Sequence, residues 1–295
     1  MSEIDGIGGA MAKVAAEIGP SVVGIGSRLR GSGVVVGDGQ VLTNAHNLRG
    51  EEVTVTFAGG RRERGRVAGA DLDGDLAVIA VDTTGASPIE WATGEPLAVG
   101  TLVFALAASA GGGVRTTDGR VSAVERAFRG PGGRRIGGGV EHTAPLAPGS
   151  SGGPVVGEDG RLLGIDTNRL GDGFYLAVPA TADLRARVES LARGETPSRL
   201  RLGIAVAPPE VSRRLRASVG LPERPGLLVR GVDEGGPAGR AGILEGDLIV
   251  SAAGKPVEDI DDLHDVLASA GLPLELGIVR GAEERTVTVE AEPPE

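Results

Sequence analysis

The sequence predicts a mainly β fold divided between two modules. The first observation is composition. The chain carries 51 glycines and 18 prolines, and its 40% of hydrophobic residues includes only 2% aromatics, so the core rests on Val, Leu, Ile and Ala. Runs rich in β-branched residues, punctuated by turn residues, are strand signals. The second observation is length: 295 residues exceed what one core ordinarily fills and suit two. The third is charge. The net charge is −10, yet residues 221–295 hold 16 acids against 6 bases while the rest is balanced at 24 of each. Acidity confined to the C-terminal quarter marks a separate module.

Taken in order, residues 9–18 place Met11, Val14 and Ile18 at helical spacing before Gly19-Pro20 ends the run. Short apolar runs then predict strands at Ser21–Ile25, Gly33–Val36, Val41–Thr43, Val53–Phe57 and Ala77–Val81. Five more follow at Thr101–Ala105, Gly119–Val124, Gly153–Val156, Leu162–Asp166 and Phe174–Val178. Gly37-Asp38-Gly39 is a tight hairpin signal. Strands without long helices between them predict a barrel or sandwich. Residues 181–193 change period: Leu184, Val188 and Leu191 share a helical face, and Gly194 follows. The linker falls at Gly194–Arg199, giving domains at 1–196 and 200–292. The second module reads as a small α+β fold. Its strands are Leu202–Val206, Leu227–Val232 and Leu248–Ala252, with a turn at Gly242–Asp247 and a helix at Asp261–Ala270. A last hairpin pairs Leu274–Arg280 with Arg285–Glu290 about Gly281-Ala282.

Several functions are excluded by residue type. Without cysteine there is no disulfide, zinc thiolate site or thiol nucleophile. Three scattered histidines (His46, His142 and His264) match no metal-ligand spacing, and no dinucleotide fingerprint follows a strand, so neither metal nor cofactor is expected. Gly111-Gly112-Gly113 lacks the Lys-Ser/Thr of a phosphate cradle. The acidic balance argues against nucleic acid or anionic membrane as the main partner. Met1-Ser2-Glu3-Ile4-Asp5 is not the start of a signal peptide, and no stretch of about 18 apolar residues exists. The compartment is therefore unknown, with the cytoplasm expected unless an export segment has been removed.

Three segments carry chemistry. Gly149-Ser150-Ser151-Gly152-Gly153-Pro154 sets a hydroxyl among glycines, which suits a nucleophile on a sharp turn with backbone N–H groups nearby. A plain loop would read the same way. Val41-Leu42-Thr43-Asn44-Ala45-His46 runs a strand into a histidine, the usual general base, although single histidines after strands are commonly structural. Asp71-Leu72-Asp73-Gly74-Asp75 leads into the apolar run Leu76–Ile79. Asp75 directly precedes that run and is best placed to be drawn inward, while Asp71 and Asp73 suit a solvated turn. The order His46, Asp75, Ser151, with spacings of 29 and 76 residues, matches the chymotrypsin type of triad.

Together these motifs resemble the HtrA, or DegP-like, branch of trypsin-like serine proteases, with motifs T-N-x-H, D-x-A-V and G-N-S-G-G-P. Val103–Val124, Leu162–Ile165 and Phe174–Pro179 extend the likeness, which covers about residues 14–290. The resemblance implies a chymotrypsin-like double β-barrel, a serine endopeptidase acting on exposed or unfolded polypeptide, and a role in protein quality control. It places the oxyanion hole at the N–H groups of Gly149 and Ser151. Four positions depart from the pattern: Asn47 for Val, Ala107-Ala108 for a Gly-Asn pair in a loop ordering the site, His142 for Thr, and Ser150 for Asn. His142 reads as a neighbour without chemistry. Every triad member is present, which leaves a peptide-binding pseudoprotease as the alternative.

The second module resembles a PDZ domain. Arg201-Leu202-Gly203-Ile204 matches its carboxylate-binding loop, Gly236–Ile243 its turn and Gly246–Ile249 the next strand. Leu202, Gly203 and Ile204 would face Leu263 and Leu267 of the helix across a groove for C-terminal peptides. His264, one step off the apolar stripe, is expected to be exposed. In trypsin-like folds the chain before the nucleophile builds the specificity pocket. Here Pro145 stands six residues before Ser151, and Leu146 follows, so an apolar, shallow pocket is expected. The expected partners are unfolded proteins and C-terminal peptides, with no nucleic acid. Any homotrimer would rest on Ile4, Ile7, Met11 and Val14, since residues 1–30 lack aromatics.

Overall fold

Most strands of the first module are apolar on both faces, and the fold explains why. In the computed structural model, which describes residues 3–92, 94, 97–130, 135–195 and 202–290, they build two closed six-stranded barrels. The first barrel comprises β1 (Val22–Ile25), β2 (Gly31–Gly37), β3 (Gln40–Thr43), β4 (Glu52–Thr56), β5 (Arg62–Asp71) and β6 (Leu76–Ala80). They close in the order β1-β2-β3-β6-β5-β4. The second comprises β7 (Leu102–Ser109), β8 (Gly113–Arg129), β9 (Arg135–His142), β10 (Pro154–Val156), β11 (Leu162–Gly171) and β12 (Phe174–Pro179). Its order is β10-β11-β12-β9-β8-β7.

Side chains alternate across a strand, so neighbours enter different cores. Val23, Val35, Val41 and Ile79 fill one cluster with residues of the first barrel alone. Val103, Ala105, Val121 and Val155 do the same in the second. The intervening Val22, Val34, Leu42 and Val78 meet Phe104, Leu106, Ile165 and Leu176 in a third cluster shared by both barrels. Each fully buried Leu, Ile or Val contributes roughly 1.5–3 kcal/mol, so the seam between the barrels is itself a core.

Two helices complete this module. α1 (Glu3–Ile18) is longer than its apolar spacing indicated, and it buries Val14 in the shared cluster with Ile7 and Met11 packed against it. Val14 is thus committed within its own chain, while Ile7 and Met11 are only partly buried; the side chain of Ile4 lies outside the described residues. α2 (Ala182–Ala192) starts at Thr181, whose hydroxyl accepts the Leu184 N–H at 3.1 Å. A cap of this kind is worth about 1 kcal/mol. Leu184, Val188 and Leu191 are buried, as their spacing requires.

The chain divides into compact units Met1–Pro197 and Ser198–Glu295. In the second unit a sheet runs β13 (Ile204–Val206), β14 (Leu227–Val232), β15 (Leu248–Ala252), β17 (Leu274–Arg280), β18 (Glu283–Val289), and β16 (Lys255–Pro256) pairs with β15. Its helices are α3 (Pro209–Ser218), α4 (Pro237–Arg240) and α5 (Ile260–Ala270). The Asp259 carboxylate accepts N–H groups of the first turn of α5 while Asp262 reaches back to it, a capping box.

Two expectations need correction. Ala107-Ala108 is not a loop: both residues lie inside β7, buried, and pair with Arg115 and Val114 of β8. Asp71 is not a solvated turn residue. It is nearly buried, its Oδ1 accepts the N–H groups of Asp73 (3.1 Å) and Gly74 (2.9 Å), and its Oδ2 lies 3.4 Å from Arg187 of α2. It shapes the turn that presents Asp75.

Candidate active site

Asp75 closes the turn between β5 and β6 with φ +54, a left-handed conformation uncommon for a non-glycine residue. That backbone turns its carboxylate inward, and the residue is 1% exposed. Three donors satisfy it. The His46 N–H reaches Oδ1 at 3.0 Å, His46 Nδ1 lies 2.8 Å from Oδ2, and the Thr167 hydroxyl donates to Oδ2 at 2.9 Å. The Asp75 carbonyl accepts Ala45 N–H (3.2 Å) and Asn44 Nδ2 (2.9 Å). These two bonds anchor the short turn Ala45–Asn47 that carries His46. A carboxylate at Nδ1 fixes the tautomer with the proton on Nδ1 and leaves Nε2 as the basic nitrogen. The imidazole is 31% exposed and so remains open to a substrate.

Ser151 lies on the loop between β9 and β10. Its Oγ donates to the Thr167 carbonyl at 3.2 Å and makes no hydrogen bond to His46 in this conformation. The Ser151 carbonyl is held from the first barrel by Ser32 N–H (2.8 Å) and Asn47 Nδ2 (2.9 Å). Ser32 Oγ donates to the Gly149 carbonyl at 2.8 Å and accepts the Ala108 N–H at 3.0 Å. Gly152 needs its missing Cβ: φ is +88, and a side chain there would strike the Ser32 carbonyl. The neighbouring N–H groups of Ser150, Gly152 and Gly153 bond to Ala147, Asp166 and Ser150 carbonyls. Those of Gly149 and Ser151 find no acceptor among the described residues.

A cavity of about 140 Å³ opens beside the serine, with Leu146, Asp166, Thr167 and Tyr175 in its lining. Leu146 is half-buried there. Pro145, expected in the pocket, is exposed and does not line the cavity. Glu141 is held elsewhere, by Ser122 (2.9 Å) and Arg126 (3.2 Å). Asp166 faces His142 across 2.7 Å, and burial holds the Asp166 carboxyl above the usual carboxylate range while the His142 bond opposes it. Thr167 and Asp166 escaped sequence reasoning, although two polar residues ending the apolar run Leu162–Ile165 were a signal. Among the described residues no cluster of three or more His, Asp or Glu is placed to hold a metal ion.

In the second unit β13 is an edge strand, paired on one side with β14. Gly203 adopts φ +75, its carbonyl accepts the Asp233 N–H at 2.8 Å, and Leu202 is buried with its carbonyl bonded to Ala238 N–H at 2.8 Å. Ile204, Val206 and Leu267 are partly buried against the core that contains Leu202, Leu263 and Val266. Leu263 is thus a core residue, and Leu267 keeps the more open position on α5. Arg201 lies outside the described residues, and His264 is half-buried where exposure was expected.

Two barrels meeting at a Ser, a His and an Asp, followed by a PDZ-like sheet, define a trypsin-like serine protease scaffold with an appended PDZ domain. Residues 31–165 match the family of the trypsin-like peptidase domain, and residues 228–280 match the PDZ domain. The chain is 32% identical over 270 residues to a probable periplasmic serine endoprotease DegP-like of Halomonas elongata, covering 89% of this chain and 56% of that protein. It is also 32% identical to the putative serine protease HhoA of Synechocystis over 277 residues, covering 88% of this chain and 70% of the relative. The serine endoprotease of Yersinia pestis superposes with a TM-score of 0.68 at 26% identity, over 95% of this chain and 96% of that one. The HtrA-type protease AlgW with a decapeptide shares the fold, at TM-score 0.71 and 24% identity over 96% and 99% of the two chains. The chain belongs to the HtrA, or DegP-like, family of trypsin-like serine proteases. It spans little more than half the length of the Halomonas relative. No helix among the described residues is long and apolar enough to cross a membrane.

Proposed function

We propose that the chain is a serine endopeptidase that cleaves exposed or unfolded polypeptide through His46, Asp75 and Ser151. The observation carrying this reading is the His46–Asp75 bond of 2.8 Å with Thr167 on the same carboxylate oxygen, close to a serine whose loop offers two unused N–H groups. For reaction the Ser151 hydroxyl leaves the Thr167 carbonyl and turns to His46 Nε2. As Oγ bonds to the scissile carbonyl carbon, its proton passes to Nε2 and the carbonyl π pair moves onto oxygen. The Gly149 and Ser151 N–H groups receive that oxyanion, an interaction made only as charge develops. Asp75 stabilises the imidazolium without taking its proton. The intermediate collapses, the C–N bond breaks, and Nε2 protonates the leaving amine. Water repeats the sequence to release the acyl group and regenerate the serine.

The cavity of about 140 Å³ suits a small aliphatic side chain against Leu146. One Asp166 carboxylate oxygen is bonded to His142 and the other is buried, so neither lies open to an entering Arg or Lys. The edge strand β13 supports recruitment of C-terminal peptides by strand addition, with the Leu202–Ile204 loop receiving the carboxylate. Protein quality control fits an endopeptidase that takes unfolded chains and binds free C-termini. Fluorophosphonate labelling and casein digestion of the wild type beside Ser151→Ala test the reading. Loss of both signals in the variant is expected; a wild type that neither labels nor cleaves would favour a peptide-binding pseudoprotease.

A further inference from the structure

His142 and Asp166 are 0% and 1% exposed, and Nε2 lies 2.7 Å from Oδ1. Burying such a pair is costly before attraction repays it, so its position calls for a reason. Asp166 grips the nucleophile loop with its main chain: its N–H donates to the Gly153 carbonyl (2.9 Å), and its carbonyl accepts the Gly152 N–H (2.7 Å). The next residue, Thr167, holds the Ser151 hydroxyl by its carbonyl and Asp75 by its own hydroxyl. His142 comes from β9 and stacks on Tyr175 of β12, ring centroids 5.9 Å apart. Asp166 and Tyr175 line the cavity together with Ser151.

Resting on the endopeptidase reading above, we infer that His142 and Asp166 are a positioning pair that fixes the nucleophile loop and the base of the specificity cavity. The pair has a single tie, since His142 Nδ1 and Asp166 Oδ2 are buried without a partner. Other titratable and charged groups around it are committed or screened. Arg169 of β11 lies over the Tyr175 ring, Glu141 turns to Ser122 and Arg126 of β8, and Asp75 is reached only through Thr167. A change in the protonation of this pair therefore acts on the Nε2–Oδ1 bond itself, and through Asp166 on the two residues that follow the nucleophile. Burial, which raises the Asp166 carboxyl, brings its titration nearer the working range.

The test uses the full chain and measures kcat, KM and their pH profiles on a chromogenic aliphatic peptide, with circular dichroism on the same samples. Asp166→Asn and His142→Gln each keep a polar group of similar size but lose the ion pair. Each is expected to lower kcat about 10-fold or more with KM changed less than about twofold. The double variant pairs amide with amide and should recover most of that loss. The wild-type profile should carry an Asp166 ionisation that Asp166→Asn and the double variant lack. Folded single variants with wild-type kcat and profile would overturn the inference, as would losses that merely track the unfolded fraction. Ser151→Ala separates the two levels: continued cleavage there sinks the endopeptidase reading itself, whereas a dead Ser151→Ala beside unaltered pair variants sinks only this inference.

Discussion

Thr167 is bonded to both Ser151 and Asp75 of the proposed triad: its carbonyl accepts the Ser151 hydroxyl at 3.2 Å, and its own hydroxyl donates to Asp75 at 2.9 Å. Thr167→Val keeps the shape and removes the donor to the carboxylate. The buried Asp75 is then short of one hydrogen bond, worth about 1.5–3 kcal/mol to a charged acceptor. The expected result is a fall in kcat of about 10-fold with little change in KM, read by steady-state kinetics.

The acids of the β5–β6 turn should separate by role. Asp75→Asn is expected to lower kcat by about 10³-fold or more, because the amide favours the wrong imidazole tautomer. Asp73→Asn should leave turnover near wild type. Asp71→Ala removes the acceptor for two turn N–H groups and the partner of Arg187, so it should lower the melting temperature and reduce activity only through that loss. Turnover crippled by Asp73→Asn would reassign the third member of the triad.

A cleavage map by mass spectrometry of a digested unfolded protein should be dominated by Val, Ala, Ile and Leu at the cleaved position. A methylene of mismatch costs only about 1–3 kcal/mol, so preference among aliphatics will be soft. Arg and Lys should be strongly rejected, since burying an unpaired cation is costly. A map led by Arg and Lys would mean that Asp166 exchanges His142 for substrate.

Peptide binding by the second unit should depend on a free carboxylate. With Ser151→Ala to prevent cleavage, a fluorescent peptide with an apolar C-terminus should bind measurably tighter than its amide in fluorescence polarisation. Equal affinities would exclude the Leu202–Ile204 loop as the receptor.

Asp166 also predicts a pH dependence of stability. Its folded-state carboxyl is raised by burial. A raised group contributes stability that is present below its unfolded value and is lost as pH rises through the folded value. The melting temperature of Asp166→Asn relative to wild type should therefore improve as pH rises from about 4 toward 7, the unfolded value being about 3.9. A constant difference across that range would show that the carboxyl does not titrate there.

His46 and Asp75 stood out because they flank strongly patterned strands: Thr43 closes β3 just before His46, and Asp75 directly precedes β6. Other strands escaped for physical reasons. β5 reads Arg-Glu-Arg-Gly-Arg, its apolar contribution too thin to show a period, and β9 carries three consecutive glycines. The helix α3 went unread although Pro209 occupies its first turn and Val211 and Leu215 are four apart. The Asp166–His142 pair joins strands 24 residues apart, and only the closure of the second barrel brings those residues together. Pattern along the chain finds faces; it does not find which polar residue on one strand meets which on another.

His46 and its partner Asp75 come from one barrel, Ser151 and Thr167 from the other. During synthesis His46 and Asp75 emerge 105 and 76 residues ahead of Ser151 (151 − 46 and 151 − 75). A chain released early holds a histidine and an acid but no serine, and a chain that has just made Ser151 still lacks β11 and β12, which close the barrel around it. On the proposed reading, proteolytic competence would arrive last, as a property of the finished domain, and a nascent copy would be spared by its own incompleteness.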